Sequence, residues 1–380
     1  MGIYADNAAT TKLDIDAFEA MKPFLLEEYA NASQPYSFSR KVKNAIKESR
    51  KIIAECINAE PENIYFTSGG TESDNWAIKC FYPQNCIKHI ATSKIEHHAI
   101  LNACKDVSES GFCDVYYLPV NRYGVIEAEN LQSFIERPRD FIATCDTTLV
   151  SIMLANNEIG TIEPIKELTT ITNGRAIFHT DAVQAVGHIP IDVKHLGVDM
   201  LSASAHKFNG PKGIGFLYCK NNMIQPFHNG GLQEFGMRAG TENVASIVGM
   251  AVALRKNIEY MHINNKHLNR LTNLFLNTLN DAKVDYILNG HPTNRLSGNI
   301  NISIRGKNGE SLMHLLDLKN IYISTGSACD SINTKVSHVI EAININEDYR
   351  KGTIRITFGK DNTEEEVLKI AQTLIKIINL

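Results

Sequence analysis

The chain has 380 residues, of which 43% are hydrophobic and 21% charged, and a formal net charge of −4. This exceeds one ordinary core of about 100–200 residues, so a large domain and a smaller one are expected. The absence of a basic bias argues against direct binding of nucleic acid. No apolar run approaches the roughly 18 residues of a membrane span, and the first residues lack the basic and apolar regions of a signal peptide, so no membrane contact and a cytoplasmic location are expected.

In chain order, short β-branched runs at 64–67, 89–92, 149–154, 176–180 and 200–203 read as strands, and 39–58 and 74–81 read as helices. Their alternation predicts an α/β fold with a mostly parallel central sheet, whose ligands sit at the strand C-termini. Residues 243–280 read as one long helix, and 299–305 and 352–358 as period-two strands with helices between and after them. A smaller α+β domain is therefore expected, with 16–255 as the large domain and 1–15 plus 256–380 as the small one.

Each predicted strand end carries residues suited to chemistry. Ser68-Gly69-Gly70-Thr71 follows the strand at 64–67 and opens a helix. Backbone N–H groups at such a terminus, with the Thr71 hydroxyl, can cradle a phosphate, although a plain strand–helix turn has the same pattern. Glu96-His97-His98 follows the next strand. An imidazole there can stack on a ring and carry protons, whereas adjacent histidines on an extended segment point apart and make a poor metal site, so no metal is expected. Asp181 follows the strand at 176–180, placed either to cap a helix or to hold a pyridinium nitrogen protonated, and Gln184 follows within a turn.

Ser204-Ala205-His206-Lys207 lies before a Gly/Pro turn. A lone lysine there would ordinarily be a solvated surface charge. A desolvated one can instead form an imine with an aldehyde cofactor, which points to pyridoxal 5'-phosphate. The eight cysteines (56, 80, 86, 104, 113, 145, 219, 329) show no paired spacing, which excludes a zinc ribbon and disfavours a disulfide framework. Most read as small buried apolar groups, but Cys329 sits in the polar run Ser324-Thr-Gly-Ser-Ala-Cys329-Asp330 and is expected on a mobile loop.

Tyr4-Ala-Asp-Asn-Ala-Ala-Thr-Thr, Phe66-Thr-Ser-Gly-Gly-Thr-Glu-Ser-Asp-Asn, Glu96-His, Asn156-Asn-Glu-Ile-Gly, His179-Thr-Asp-Ala-Val-Gln, Ser204-Ala-His-Lys, Gly236-Met-Arg-Ala-Gly-Thr-Glu-Asn and Ser324-Thr-Gly-Ser-Ala-Cys occur in this order. The ordered set, from residue 4 to about 370, resembles the cysteine desulfurases of the NifS/IscS type, which are class-V aminotransferase-like, fold-type I pyridoxal phosphate enzymes. The resemblance implies that Lys207 bonds the cofactor and that Cys329, carried by the small domain, takes sulfur from L-cysteine as a persulfide, leaving L-alanine. It implies further that Gly70, Thr71, Ser204 and His206 bind the phosphate, joined by Thr241 from the partner of a homodimer. Asp181 would meet the ring nitrogen, Gln184 the ring hydroxyl, and His97 would stack on the ring and shuttle protons. Asn156, also counted with the cofactor residues, and Arg355 would hold the substrate carboxylate, for which an arginine fork is well shaped.

The chain departs from that family in three places. Asn31-Ala-Ser-Gln-Pro-Tyr36 replaces a segment that often ends in histidine. Asp330 stands where threonine usually follows the reactive cysteine, and a neighbouring carboxylate disfavours a thiolate. The sequence stops at Leu380, soon after Thr363-Glu-Glu-Glu-Val, whereas longer relatives have a tail that contacts an iron–sulfur scaffold protein. The expected sulfur acceptor is therefore a weakly held iron–sulfur scaffold or another protein such as a tRNA-thiolating enzyme. A selenocysteine lyase or another class-V aminotransferase-like enzyme is the alternative, and a cofactor-binding protein without turnover is a further one.

Overall fold

The computed structural model describes residues 2–79, 87–111, 113–137, 147–325 and 336–379. Cys329 and Asp330 lie outside these residues, as do Cys80, Cys86 and Cys145. Among the described residues eight strands precede the long helix: β1 (Ile3–Tyr4), β2 (Ile64–Thr67), β3 (Ile87–Ser93), β4 (Asp114–Leu118), β5 (Thr147–Ser151), β6 (Ile177–Asp181), β7 (Met200–Ser204) and β8 (Gly215–Cys219). Strands β2–β8 form one sheet in the order β2-β8-β7-β6-β5-β3-β4. Its members from β7 to β4 are parallel, and β8 runs antiparallel to both β7 and β2. This is the expected mostly parallel sheet. Helices lie on both faces, because parallel strands joined by crossover helices must bury both sides.

The two faces differ in chemistry. One carries Val150, Phe178, Leu201, Ala203 and Phe216 into a large apolar core shared with Val42, Ile46 and Ile53 of the helix Arg40–Cys56. On the other, apolar side chains at the strand beginnings, including Leu149 and Met200, pack against Trp76 and Ile100 of the helices Gly70–Lys79 and His98–Glu109. Further along this face the period-two alternation presents Ser151, His179, Asp181, Ser202 and Ser204, all buried. A polar stripe at the C-terminal ends of parallel strands is where a ligand of such a sheet belongs.

The helix Val244–Asp281 is 38 residues long and is capped by the Asn243 side chain, which accepts from Ser246 N–H. Its first half buries Ile247, Met250 and Leu254 in the core of the large sheet. Its second half buries Leu268, Leu271, Phe275 and Leu279 in another core. That second core surrounds β9 (Tyr286–Leu288), β10 (Asn299–Ile304), β11 (Ile321–Tyr322) and β12 (Thr353–Thr357), with the helix Glu364–Ile378. There β12-β10-β9 form an antiparallel sheet, and β1 pairs with β11, so Ile3 and Ala5 belong to the second core. The boundary expected at 255/256 falls inside one continuous helix. The strand expected over 149–154 ends earlier, at Ser151, although Ile152 and Leu154 continue to donate to the carbonyls of His179 and Asp181.

Candidate active site

A cavity of about 550 Å3 opens at the C-terminal ends of β6 and β7. Its wall includes Gly70, Thr71, His97, Asp181, Gln184, Ser204, His206, Lys207 and Arg355. Nine of the residues singled out from the sequence therefore meet in one place. Three others do not. Thr241 is exposed and lies away from this wall, Asn156 points elsewhere, and Cys329 is outside the described residues.

Local geometry explains how each group arrives. Gly69, with φ of +151°, turns the chain from β2 into the helix Gly70–Lys79, so the N-terminus of that helix faces the cavity. The turn lies tightly on β8: a Cβ at Gly215 would sit 2.8 Å from Gly69 Cα and 2.4 Å from the Ala203 carbonyl oxygen. Lys207 ends a short 3-10 turn just beyond β7. Its Nζ donates to the carbonyls of Ala8 and Ala9 at 2.6 and 2.8 Å. The N-terminal segment, which otherwise belongs to the second core, thus helps to hold the lysine.

Asp181 Oδ1 accepts from Val183 N–H at 2.9 Å. Burial pushes this carboxyl up to about 6, against the opposing effects of that bond and of the nearby Lys207 ammonium. His97 caps the helix His98–Glu109, its Nδ1 accepting from Ala99 N–H at 3.1 Å, which places the ring proton on Nε2. Burial, then the Lys207 charge, lowers its pKa to about 4, so the ring is neutral near neutral pH. His206 is likewise lowered to about 4 by burial first, and its Nδ1 meets Thr10 Oγ at 3.1 Å. The Gln184 amide nitrogen donates to the Ala8 carbonyl at 2.9 Å.

Arg355 in β12 comes from the second core. One guanidinium nitrogen pairs with Asp6 at 2.7 Å and another donates to the Asn157 carbonyl at 3.2 Å, while Nε is buried without a hydrogen-bond partner. Asn156 is fully buried and spends its amide on the turn: Nδ2 donates to the Ile95 carbonyl, and Oδ1 accepts from Glu158 and Ile159 N–H. Asn157 takes its place on the cavity wall. The sequence reading gave no role to Asp74, Asn157 or Lys212, which also line the cavity, or to Asp6, which pairs with Arg355 behind the wall. A signal for Asp6 was present, since it stands in the quoted motif Tyr4-Ala-Asp-Asn.

The four described cysteines, Cys56, Cys104, Cys113 and Cys219, are all unpaired. Burial pushes the thiols of Cys56 and Cys113 up to about 11 and that of Cys219 to about 12, and raises Cys104 as well. Such thiols stay protonated and unreactive. A second cavity, of about 230 Å3, lies between the two cores beside Asn7, His188 and Asn257, and shares Ala8 and Gln184 with the first.

The residues present fit pyridoxal 5'-phosphate. A helix N-terminus with Thr71, Ser204 and His206 suits the phosphate, a buried carboxylate suits the ring nitrogen, and a lysine amine stands in the same cavity. The fold and this donor set together define a fold-type I, pyridoxal phosphate-dependent enzyme. The chain belongs to the aminotransferase class-V family, whose sequence profile matches residues 3–370. It is 47% identical over 380 residues to the cysteine desulfurase IscS of Dictyoglomus turgidum, covering 99% of this chain and 94% of that protein. Among solved structures it is similar to a NifS-like protein, with 35% identity, a TM-score of 0.90 and full coverage of both chains. It is also similar to SspA in complex with cysteine, with 33% identity and a TM-score of 0.81, covering 95% of this chain and all of that one.

Proposed function

We propose that this protein is a cysteine desulfurase that converts L-cysteine to L-alanine and passes the sulfur to Cys329 as a persulfide. The observation that carries the reading is the meeting of Lys207, Asp181, Arg355 and a helix N-terminus in one cavity of a chain so similar to cysteine desulfurases. The overall change balances. The Cβ–S bond of cysteine breaks, an S–S bond forms to Cys329, and the carbon that loses sulfur keeps the electron pair and gains a proton.

The bound cofactor supplies an electron sink at the substrate Cα. Lys207, pre-placed by the Ala8 and Ala9 carbonyls, would hold the cofactor through its amine and carry a proton at the substrate Cα. Asp181 would keep a carboxylate against the ring nitrogen, and Gly70, Thr71, Ser204 and His206 would hold the phosphate. Gln184, with its amide nitrogen engaged by Ala8, would meet the ring hydroxyl through its amide oxygen, and the neutral His97 would stack on the ring with its Nε2–H free to donate to a reacting group. Arg355, oriented by Asp6, receives the substrate carboxylate.

The protein acts as a homodimer in which Thr241 reaches the partner's phosphate site. Exposure of Thr241 beside the apolar Leu232 and Phe235, 89% and 60% exposed, supports this. Sulfur then leaves for an iron–sulfur scaffold or a tRNA-thiolating enzyme in the cytoplasm, a setting consistent with the unpaired described cysteines; none of the described helices is long and apolar enough to cross a membrane. Incubation of the cofactor-loaded protein with L-cysteine and a thiol reductant, which frees the persulfide sulfur as sulfide, is expected to yield alanine in step with sulfide, and without the reductant mass spectrometry is expected to find one added sulfur on Cys329. Amino transfer to an oxoacid without sulfide would overturn the reading, as would unchanged sulfide release by Cys329→Ala.

A further inference from the structure

Beneath Asp181 lies a second carboxyl that the reaction above does not use. Asp74, on the helix whose N-terminus faces the phosphate site, is 1% exposed, and its Oδ1 has no hydrogen-bond partner. The nearest cationic candidate, His179 Nε2, stands 3.8 Å away. That ring is itself fully buried, its pKa lowered to about 3 by burial, and so it is neutral. Its two nitrogens are already engaged, Nδ1 with Ser151 Oγ and Nε2 with Ser202 Oγ, each at 2.9 Å. Ser202 also hydrogen-bonds Asp74 and is the register partner of Asp181 across β6 and β7.

We propose that Asp74 is a neutral, hydrogen-bond-donating acid that positions Asp181, and through it the ring-nitrogen end of the cofactor site. This rests on the pyridoxal phosphate reading above. The groups acting on Asp74 are Asp181 and His179 from β6 and Glu96 from the turn after β3, and none of them is a cation. Burial and the Asp181 charge both drive Asp74 to hold its proton. With that proton, donors and acceptors alternate along one chain: Asp74 O–H to Ser202 Oγ, Ser202 O–H to His179 Nε2, and His179 Nδ1–H to Ser151 Oγ. The chain ties together β5, β6, β7 and the phosphate-binding helix, so the helix that holds the phosphate and the strand that holds Asp181 share one buried link. It also leaves a single negative charge facing the ring nitrogen. An ionised Asp74 would place two unscreened carboxylates side by side.

The test uses the cofactor-loaded protein. Asp74→Asn keeps a neutral donor, so the pH midpoint of the bound cofactor's visible absorbance is expected to stay within about 0.3 unit of wild type. The infrared difference between the two proteins is expected to show loss of a protonated-carboxyl C=O band. Asp74→Ala, which breaks the link, is expected to weaken cofactor binding roughly tenfold relative to Asp74→Asn. Should the alanine protein not fold, Ser202→Ala interrupts the same link without touching a charge, and the same loss is expected. A midpoint shift of about one unit in Asp74→Asn, or no loss of a protonated-carboxyl band, would mean that Asp74 is ionised and would overturn the proposal. Equal cofactor affinity of the alanine and asparagine proteins would remove the positioning role. Failure of wild-type protein to gain visible absorbance with pyridoxal phosphate would strike the cofactor reading itself.

Discussion

The two ends of the cavity treat charge in opposite ways. At the ring-nitrogen end, Asp181 and Asp74 are buried carboxyls with no side-chain cation hydrogen-bonded to them, and burial raises both. At the Arg355 end the chain supplies both signs itself, with the guanidinium 2.7 Å from Asp6. The first end is completed by a positive charge arriving with the cofactor. The second is already neutralised, so on the proposed reading a substrate carboxylate would share the arginine with Asp6. On that reading one end holds its ligand permanently, and the other exchanges one.

Substitutions can break this contrast at graded strength. Lys207→Ala removes the amine that serves both ends. Turnover is expected to fall by about 10⁴-fold or more, with loss of the visible absorbance of bound cofactor, read by alanine formation and by spectroscopy. Asp181→Asn removes the permanent charge while keeping shape, and kcat is expected to drop roughly 10²–10³-fold with cofactor bound more weakly. Arg355→Lys keeps the charge of the exchanging end but loses the fork. Its expected signature is a KM for cysteine raised about tenfold with a smaller change in kcat, and the reverse split would contradict the carboxylate role.

The smallest effect on activity, and a separate one on stability, is expected at Glu163. This carboxyl is buried with Oε1 unpartnered, and Oε2 accepts from Ile126 N–H; burial raises its pKa to about 8. Because the folded protein binds this proton more tightly than the unfolded chain, the associated stability is present below the unfolded value near 4.3 and is lost as pH rises through about 8. Glu96, also raised to about 8 by burial, behaves alike. Denaturant unfolding across about pH 5–8 is therefore expected to show stability falling with pH. Glu163→Gln should remove up to about 1.4 kcal/mol per pH unit of that slope, and an unaltered slope would place the proton elsewhere.

Much of this site was legible because its residues follow strands. Gly70-Thr71, Asp181 and Lys207 each stand just past an apolar run, and the fold of a parallel sheet brings such positions together whatever their separation in sequence. Arg355 needed the family resemblance, since it comes from another sheet. Asn156 and Asn157 show where pattern runs out: adjacent identical residues in a turn give no sign of which one faces the ligand, and the hydrogen bonds to Ile95, Glu158 and Ile159 decide it. His179 and Asp74 were hidden for a different reason. In sequence, a polar residue within a β-branched run or on an amphipathic helix reads as solvent-facing, and only the stacking of helix on sheet buries them together.

The helix Val244–Asp281 spans about 57 Å at the usual rise per residue and is a structural member of both cores. A protein ended at residue 255, where the sequence pattern suggests a domain break, would keep the sheet but cut this rod a third of the way along. The remaining piece would lose Leu268, Leu271, Phe275 and Leu279 from their own core without gaining a natural terminus. The two halves are therefore expected to melt together, as one cooperative unit, and the way to separate them experimentally is to loosen the rod between Leu254 and Leu268 rather than to divide the chain.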